Sequence, residues 1–457
     1  MSAESLQQRE QSAPTDKVTK SEVRTVLLSC IIGTTVEWYD FFLYGVAAGI
    51  VFNKLYFPSE DPLVGTLLAF ATFALGFVAR PIGGLIFGHI GDRVGRKKTL
   101  VMTMLIMGVA TALIGLVPTY ESIGVLAPVI LIVLRVAQGV AIGGEWGGAV
   151  LMAVEYAPRN RRGIFGSLPQ MGLAVGLLLG TGVFAMLDVS MSDSAFLAWG
   201  WRIAFLLSSI LVFIGLYIRL RVLETPAFRK LEEREEKAAV PAVELFRNKR
   251  NRRHVWLGMG ARWIEGVAFN AWAVFSISYG VDTVGVSRET MLVAVMISAV
   301  VLLVFIPVFG HISDRFDRRR TYTTGAVLAA VGALPAFAML DTGNAVWITL
   351  SLVVVLGVLY PIMYGPEASL FAELFPANVR YTGISFVYQF SGIFASGMTP
   401  LVLTYLLGKG DGTGLIIAYF LVVGVVSAVC CLMIRRRDLE RVEASNMTPD
   451  LVDQAAG

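Results

Sequence analysis

The sequence predicts an all-α membrane protein of twelve transmembrane helices in two pseudo-symmetric six-helix bundles. Three features carry this prediction. The 457 residues are 56% hydrophobic and only 16% charged, with a mean hydropathy of +0.69. That is more apolar surface than a soluble core can hide. The apolar runs are long enough to cross about 30 Å of hydrocarbon and fall into two groups of six. Two charged phrases are also written twice. Gly88-His89-Ile90-Gly91-Asp92-Arg93-Val94-Gly95-Arg96 returns as Gly310-His311-Ile312-Ser313-Asp314-Arg315-Phe316-Asp317-Arg318. Glu155-Tyr156-Ala157-Pro158 leading to Arg162 returns with the same spacing as Glu373-Leu374-Phe375-Pro376 leading to Arg380. Duplicated signals of this kind in a lipid-solvated chain indicate two related halves around a central site.

The elements follow in order. Residues 1–24 are polar, mixed in charge and without an apolar h-region, so they are expected to be a disordered cytosolic tail and not a signal peptide. Six spans fall near 25–52, 63–88, 98–117, 122–152, 162–187 and 199–220, forming an N-terminal bundle over 25–220. A polar interval, 221–253, contains the charge run Leu231 to Lys237, read as a short solvated helix that Pro241 ends or bends. Six more spans fall near 254–281, 289–310, 321–340, 345–372, 380–406 and 413–434, forming a C-terminal bundle over 254–434. Residues 435–457 make a second cytosolic tail.

Lys and Arg collect on one side, including Lys17, Arg24, Arg93, Arg96, Arg162 and Arg435 to Arg437. Acids such as Glu60, Asp188, Asp193 and Asp341 collect on the other. This asymmetry places both termini in the cytoplasm, which requires an even number of spans. The net charge of +4 is too small to suggest nucleic acid, and three cysteines argue against a disulfide framework.

Ionisable groups inside spans are the functional candidates, since each costs roughly 2.5–3.5 kcal/mol at mid-helix. Glu37, Asp40 and Tyr44 are three and four apart and share one face of the first span. Arg135 lies at similar depth in the fourth, one turn before Gln138. An acid and a base at equal depth suggest a buried pair. Low dielectric favours the neutral acid and a nearby guanidinium favours the carboxylate, so such a pair can act as a proton switch or simply lock two helices. Glu145, set among glycines and beside Trp146, is a third acid and a possible partner of Arg80. Arg262 and Glu265 lie one turn apart in the seventh span, with Asn270 further along. Gln170 and Gln389 occupy matching places in the two halves and can orient a polar ligand in an apolar cavity.

The coupling set expected from these positions is Asp40, Glu37, Arg135 and Glu145. The substrate-binding set is Tyr44, Gln138, Trp146, Gln170, Arg262, Asn270 and Gln389. The duplicated loops read as gating latches, with Gly88, Asp92, Arg93, Gly95, Arg96, Glu155 and Arg162 in one half and Asp314, Arg318, Glu373 and Arg380 in the other. Asp92 can accept bonds from a helix N-terminus and from Arg96. A plain topology signal is the alternative reading of these loops.

No phosphate cradle, nucleophile elbow, Cys-x-x-Cys pair or His-Glu-x-x-His run is present, which argues against an ATPase or an intramembrane enzyme. His89 and His311 lack neighbouring ligands at metal spacing.

The loop Gly88 to Lys98 resembles the signature between the second and third helices of the major facilitator superfamily, and Arg135-x-x-Gln138-Gly139 is similar to its fourth-helix motif. Val36-Glu37-Trp38-Tyr39-Asp40-Phe41-Phe42-Leu43-Tyr44-Gly45 and Gly143-Gly144-Glu145-Trp146-Gly147-Gly148-Ala149 resemble the metabolite:proton symporter family. Its members carry shikimate, α-ketoglutarate, citrate or proline/betaine. The run from Ala69 through Gly95 looks closest to its shikimate-carrying branch.

The resemblance implies the major facilitator fold, a bacterial inner-membrane location, and proton-coupled uptake of a small molecule. The proton would be the coupling ion, with no other cofactor, and the carrier would act as a monomer in the lipid bilayer. The fifth span lacks the Gly-Pro signature of drug antiporters, which favours symport. Ser313 and Asp317 stand where Gly91 and Gly95 stand in the first loop, so the second latch is expected to be looser. Only about twenty residues follow Arg437, so osmotic gating by a C-terminal coiled coil is not expected. Organic acids are the leading substrate class, ahead of proline or betaine.

Overall fold

The structure, a computed structural model, describes residues 20–59, 61–94, 96–143, 146–155, 157–221, 245–376, 379–410, 412–437 and 439. Most of the expected N-terminal tail, the Leu231 to Lys237 run and most of the C-terminal tail lie outside these residues. Among the described residues the chain forms twelve long helices. In the first half these are α1 (Lys20–Ala47, running on through Phe52), α2 (Pro62–Val94), α3 (Arg96–Ile114), α4 (Leu126–Ile142, resuming as Trp146–Glu155), α5 (Arg162–Ser190) and α6 (Asp193–Tyr217). In the second they are α7 (Lys249–Ala261, continuing as Trp263–Asn270 and on to Val284), α8 (Arg288–Arg315), α9 (Arg318–Leu340), α10 (Ala345–Ala372), α11 (Arg380–Lys409) and α12 (Gly414–Met433).

Local chemistry sets where these helices begin. The side chains of Ser287, Asp317 and Asn344 accept the first amides of α8, α9 and α10, satisfying donors that no preceding turn can reach. Gly285 and Gly343, at φ +80° and +65°, turn the chain between α7 and α8 and between α9 and α10, where a Cβ would be strained.

Eight helices are long and apolar enough to cross a membrane: α2, α5, α6 and α8 to α12. α3 and α4 contribute shorter apolar stretches. The helices that open each half, α1 and α7, are not among the eight, and they hold Glu37, Asp40, Arg262 and Glu265 in their buried middles. Large apolar side chains on the outside, such as Leu85, Phe213 and Val425, are more than 60% exposed and form the lipid-facing surface.

Both halves use one packing scheme. In the first, α1 packs on α5, α2 on α4 and α3 on α6. In the second, α7 packs on α11, α8 on α10 and α9 on α12. The halves meet where α5 lies on α8 and α10, and where α2 lies on α11.

The α2–α4 contact brings backbone against backbone. A Cβ on Gly83 would stand 1.8 Å from the Val140 carbonyl oxygen, one on Gly139 2.1 Å from that of Gly76, and one on Gly143 1.9 Å from that of Arg80. Small residues permit this approach, as they do generally between membrane helices. It sets Arg80 and Arg135 side by side behind α1. Gly139→Leu or Gly83→Val should therefore lower stability by about 1–3 kcal/mol. A drop in the detergent-solubilised unfolding midpoint would show it, with lipid-facing Leu85→Ala as a near-silent control.

Candidate functional site

The first half buries a continuous polar relay. Asp40, at 1% exposure, accepts hydrogen bonds from Thr111 Oγ1 of α3 at 2.9 Å and from Ser208 Oγ of α6. Thr111 Oγ1 in turn accepts from Gln138 Nε2 at 2.6 Å, and Gln138 Oε1 accepts from Arg135 Nη1 at 3.1 Å. Asp40 and Arg135 therefore do not form the direct pair that their equal depth suggests. Gln138, one turn along α4 from Arg135, and Thr111 stand between them. The reason is aromatic. The Arg135 guanidinium lies over the rings of Tyr44, Phe41 and Phe73, at 4.1, 5.1 and 5.1 Å, and these faces hold it away from α3. Two of its nitrogens, Nε and Nη2, are buried without hydrogen-bond partners.

The three residues of the α1 face diverge. Asp40 turns into the half toward α3 and α6, while Tyr44 donates to Thr72 of α2 at 2.7 Å and lies beneath Arg135. Buried Glu37 sits within electrostatic reach of Arg80. Arg80 also lies over Phe77 at 4.3 Å and Phe41 at 4.9 Å. Glu145 lies outside the described residues, as does the Trp146 side chain, so neither an Arg80–Glu145 contact nor a Trp146 role is placed.

In the second half Arg262 organises a second buried cluster. Its Nε lies 3.4 Å from Glu265 and 3.3 Å from Glu367 of α10, and its Nη1 donates to the Tyr388 carbonyl and to Ser391 of α11. The one-turn pairing of Arg262 with Glu265 is present but shared. Asn270 spends its amide nitrogen on the Gly266 carbonyl of its own helix at 2.9 Å, leaving Oδ1 unpartnered.

Gln170 and Gln389 bridge the halves in matched fashion. Gln170 Nε2 of α5 donates to the Tyr364 carbonyl of α10 at 2.5 Å, and Gln389 Nε2 of α11 donates to the Gly143 carbonyl of α4 at 3.1 Å. In both, the amide oxygen is buried and unpartnered.

The end of the bundle at which the described residues begin and end, the terminal end, is closed by the second charged loop. Asp314 accepts from the amides of Gly163 and Ile164, at 2.6 and 3.0 Å, at the start of α5 in the opposite half. It also pairs with Arg318 at 2.7 Å, and Arg318 reaches on to Glu373. The arrangement read from the sequence for Asp92, a helix N-terminus plus an Arg one turn away, is thus the arrangement of its repeat partner. Asp317 caps α9 through the Arg320 amide at 3.1 Å. Arg162 gives its carbonyl to Ser369 at 2.5 Å, and Arg380 Nε donates to the Phe375 carbonyl at 3.2 Å. Gly95 lies outside the described residues. Gly88, Asp92, Arg93 and Arg96 are described only as helical backbone, and so is Glu155.

The other end is joined by Arg288 of α8 to Asp188 and, at 3.2 Å, to Asp193. A cleft of about 590 Å³ opens there between the halves, lined by Asn53, Lys54 and Thr66 on one side and Tyr279, Asp282 and Thr404 on the other. Its lining does not include the residues of the buried clusters.

Several groups in these networks escaped the sequence reading, among them Thr72, Thr111, Ser208, Ser391, Glu367 and Tyr360, whose hydroxyl donates to Glu265. Glu367, an acid inside an apolar span, carried a readable signal. The hydroxyls did not.

Two related bundles with buried charge at their centre and ionic closures at both ends define a multi-pass membrane transporter. The family model described as Major Facilitator Superfamily matches residues 30–400 and 267–451. The chain is 37% identical over 419 residues to the shikimate transporter of Escherichia coli (strain K12), covering 91% of this chain and 95% of that one. It is 39% identical to the inner membrane metabolite transport protein YhjE of the same organism, covering 83% and 87%. To its proline/betaine transporter it is 33% identical, covering 89% and 82%. Among solved structures, the partially occluded inward-open xylose transporter XylE from E. coli superposes with a TM-score of 0.71 at 20% identity, covering 91% of this chain and 98% of that one. The chain belongs to the Major Facilitator Superfamily, as an inner-membrane transporter and not an enzyme.

Removing either donor from Asp40, by Ser208→Ala or Thr111→Val, should cost about 1–3 kcal/mol. In the Asp40→Asn background the same changes should cost measurably less. A double-mutant cycle on thermal unfolding checks this, and strict additivity would remove the coupling.

Proposed function

We propose that the chain is a proton-coupled symporter that imports a small polar metabolite by alternating access, with an organic acid as the preferred substrate. The observation that carries the proposal is the hydroxyl at the middle of the relay. Thr111 Oγ1 has one proton and two acceptors in reach, Asp40 Oδ2 and the Met107 carbonyl, both at 2.9 Å. With Asp40 ionised, Thr111 donates to it. When Asp40 takes up a proton it becomes a donor itself, and Thr111 can turn to Met107. That reversal reaches Gln138 and Arg135 through hydrogen bonds already in place. Glu37 and Arg80 stand beside this relay as further coupling groups, with Tyr44 and Gln138 as part of its binding wall.

Alternating access would use the two closures. The Asp314–α5 latch and the Arg288–Asp188 pair are at opposite ends, so opening one while holding the other exposes the centre to one side at a time. The positive charge at the terminal end supports a cytoplasmic orientation of that end. One charge crossing 100 mV releases about 2.3 kcal/mol. At roughly 1.4 kcal/mol per decade, that sustains about fortyfold accumulation of a neutral solute.

Organic acids are favoured because Arg80 and Arg262, one from each half, lie within electrostatic reach of each other and of Tyr388. An anion between them would relieve their repulsion. Kinship to a shikimate transporter supports this class. Kinship to a proline/betaine transporter, with Glu37 beside Trp38, supports an osmolyte as the second reading.

Proteoliposome uptake from a labelled panel under an imposed pH gradient tests both. Accumulation should follow the gradient, fall as external pH rises, and vanish when gradient and potential are collapsed. Asp40→Asn should abolish accumulation and spare substrate exchange. Undiminished accumulation by that variant would take Asp40 out of the mechanism.

A further inference from the structure

Glu367 has no place in the relay above, and the charges around it do not balance. Glu265 and Glu367 are 2% and 0% exposed, and both have an oxygen within 3.4 Å of the same Arg262 Nε. Nε carries a single N–H, which goes to Glu367 Oε1. Nη1 is committed to Tyr388 and Ser391 on α11. The Tyr360 hydroxyl serves Glu265 Oε1. The remaining oxygens, Glu265 Oε2 and Glu367 Oε2, are buried with no hydrogen-bond donor. The other groups facing the cluster are phenols, namely Tyr322 on α9, Tyr364 on α10 and Tyr388 on α11, with Cys431 of α12 behind Tyr322. Arg80 of α2 is the one further cation in electrostatic range among the described residues, and it already faces Glu37.

Two acids and one guanidinium leave a surplus negative charge in a medium that does not tolerate one. Two carboxyls that cannot both ionise resolve this by holding one proton between them. We propose that Glu265 and Glu367 share a single proton, making the cluster around Arg262 a second proton site of this transporter, separate from Asp40. The proton removes the surplus charge and turns one bare acceptor into a donor.

Its loss would draw Arg262 onto the two carboxylates and off Tyr388 and Ser391. That is the stretch of α11 from which Gln389 reaches Gly143 in the other half. This consequence for transport rests on the symport reading. Occupancy of the site does not.

Infrared difference spectra of the full chain in lipid, light water minus heavy water, read the carbonyl stretch of protonated carboxylic acids. In an Asp40→Asn background a protonated-carboxyl band should remain at neutral pH. Adding Glu367→Gln or Glu265→Gln should reduce it by the same amount, because either change leaves one carboxylate facing one guanidinium. Both variants keep side-chain size, and an unchanged amide I band confirms that each is folded. A band that is missing in Asp40→Asn, or unaltered by both additions, would overturn the proposal. Loss with only one of them would overturn sharing. Gradient-driven uptake is read separately: a chain indifferent to the pH gradient can still show the band, so the two readings fail independently.

Discussion

The structure depends on one constraint, that charge enclosed in lipid must be answered within a few ångströms by other protein groups. Arg135 meets it with three aromatic faces and one amide, and Asp40 with two hydroxyls. Arg262 meets it with two carboxyl groups, a hydroxyl and a backbone carbonyl. Each solution draws on several helices at once. The relay through Asp40 ties α1 to α3, α4 and α6, and the Arg262 cluster ties α7 to α10 and α11. The polar groups thus fix which helices of each half move as one body. What remains adjustable is the contact between halves, where α5 meets α8 and α10, and α2 meets α11.

That contact is built for sliding contact rather than interlocking. Gly163 of α5 and Gly310 of α8 touch so closely that a Cβ on Gly163 would stand 2.4 Å from the Gly310 carbonyl oxygen. Apart from the closure of Arg288 on Asp188 and Asp193, the hydrogen bonds described above that cross it join a side chain to backbone: Asp314 accepts from the start of α5, Ser369 donates to Arg162, Gln170 to Tyr364 and Gln389 to Gly143. A backbone partner can be exchanged for its neighbour along the helix without creating a buried charge. Gln170 Nε2 already lies 3.5 Å from the next carbonyl, that of Gly365.

Much of the fold was legible in the residue order because lipid imposes a length and a polarity on every crossing segment, and duplicated phrases expose duplicated halves. The positions of Asp40, Arg135, Arg262, Gln170 and Gln389 as buried groups were legible for the same reason, since a polar residue inside a span has few places to go. Their partners were not. Helical periodicity says which residues of α1 share a face, and it cannot say that Asp40 meets Thr111 and Ser208 while Tyr44 meets Thr72 and Arg135. Hydroxyls at mid-span look alike whether they serve a carboxylate or their own helix. The Asp40–Arg135 pair was inferred from depth alone, and stacking on Tyr44, a lateral effect, overrode it.

The central claim is that the halves rock about these buried clusters, opening one end as the other shuts. Spin-label distances across the halves test it most directly, with one pair at the terminal end, Asn160 with Phe316, and one at the opposite end, Ser190 with Glu289, all exposed positions. Substrate or a change of pH should move the two distances in opposite senses, and Asp40→Asn should abolish the response to pH. Distances that stay fixed, or that widen together, would contradict the account.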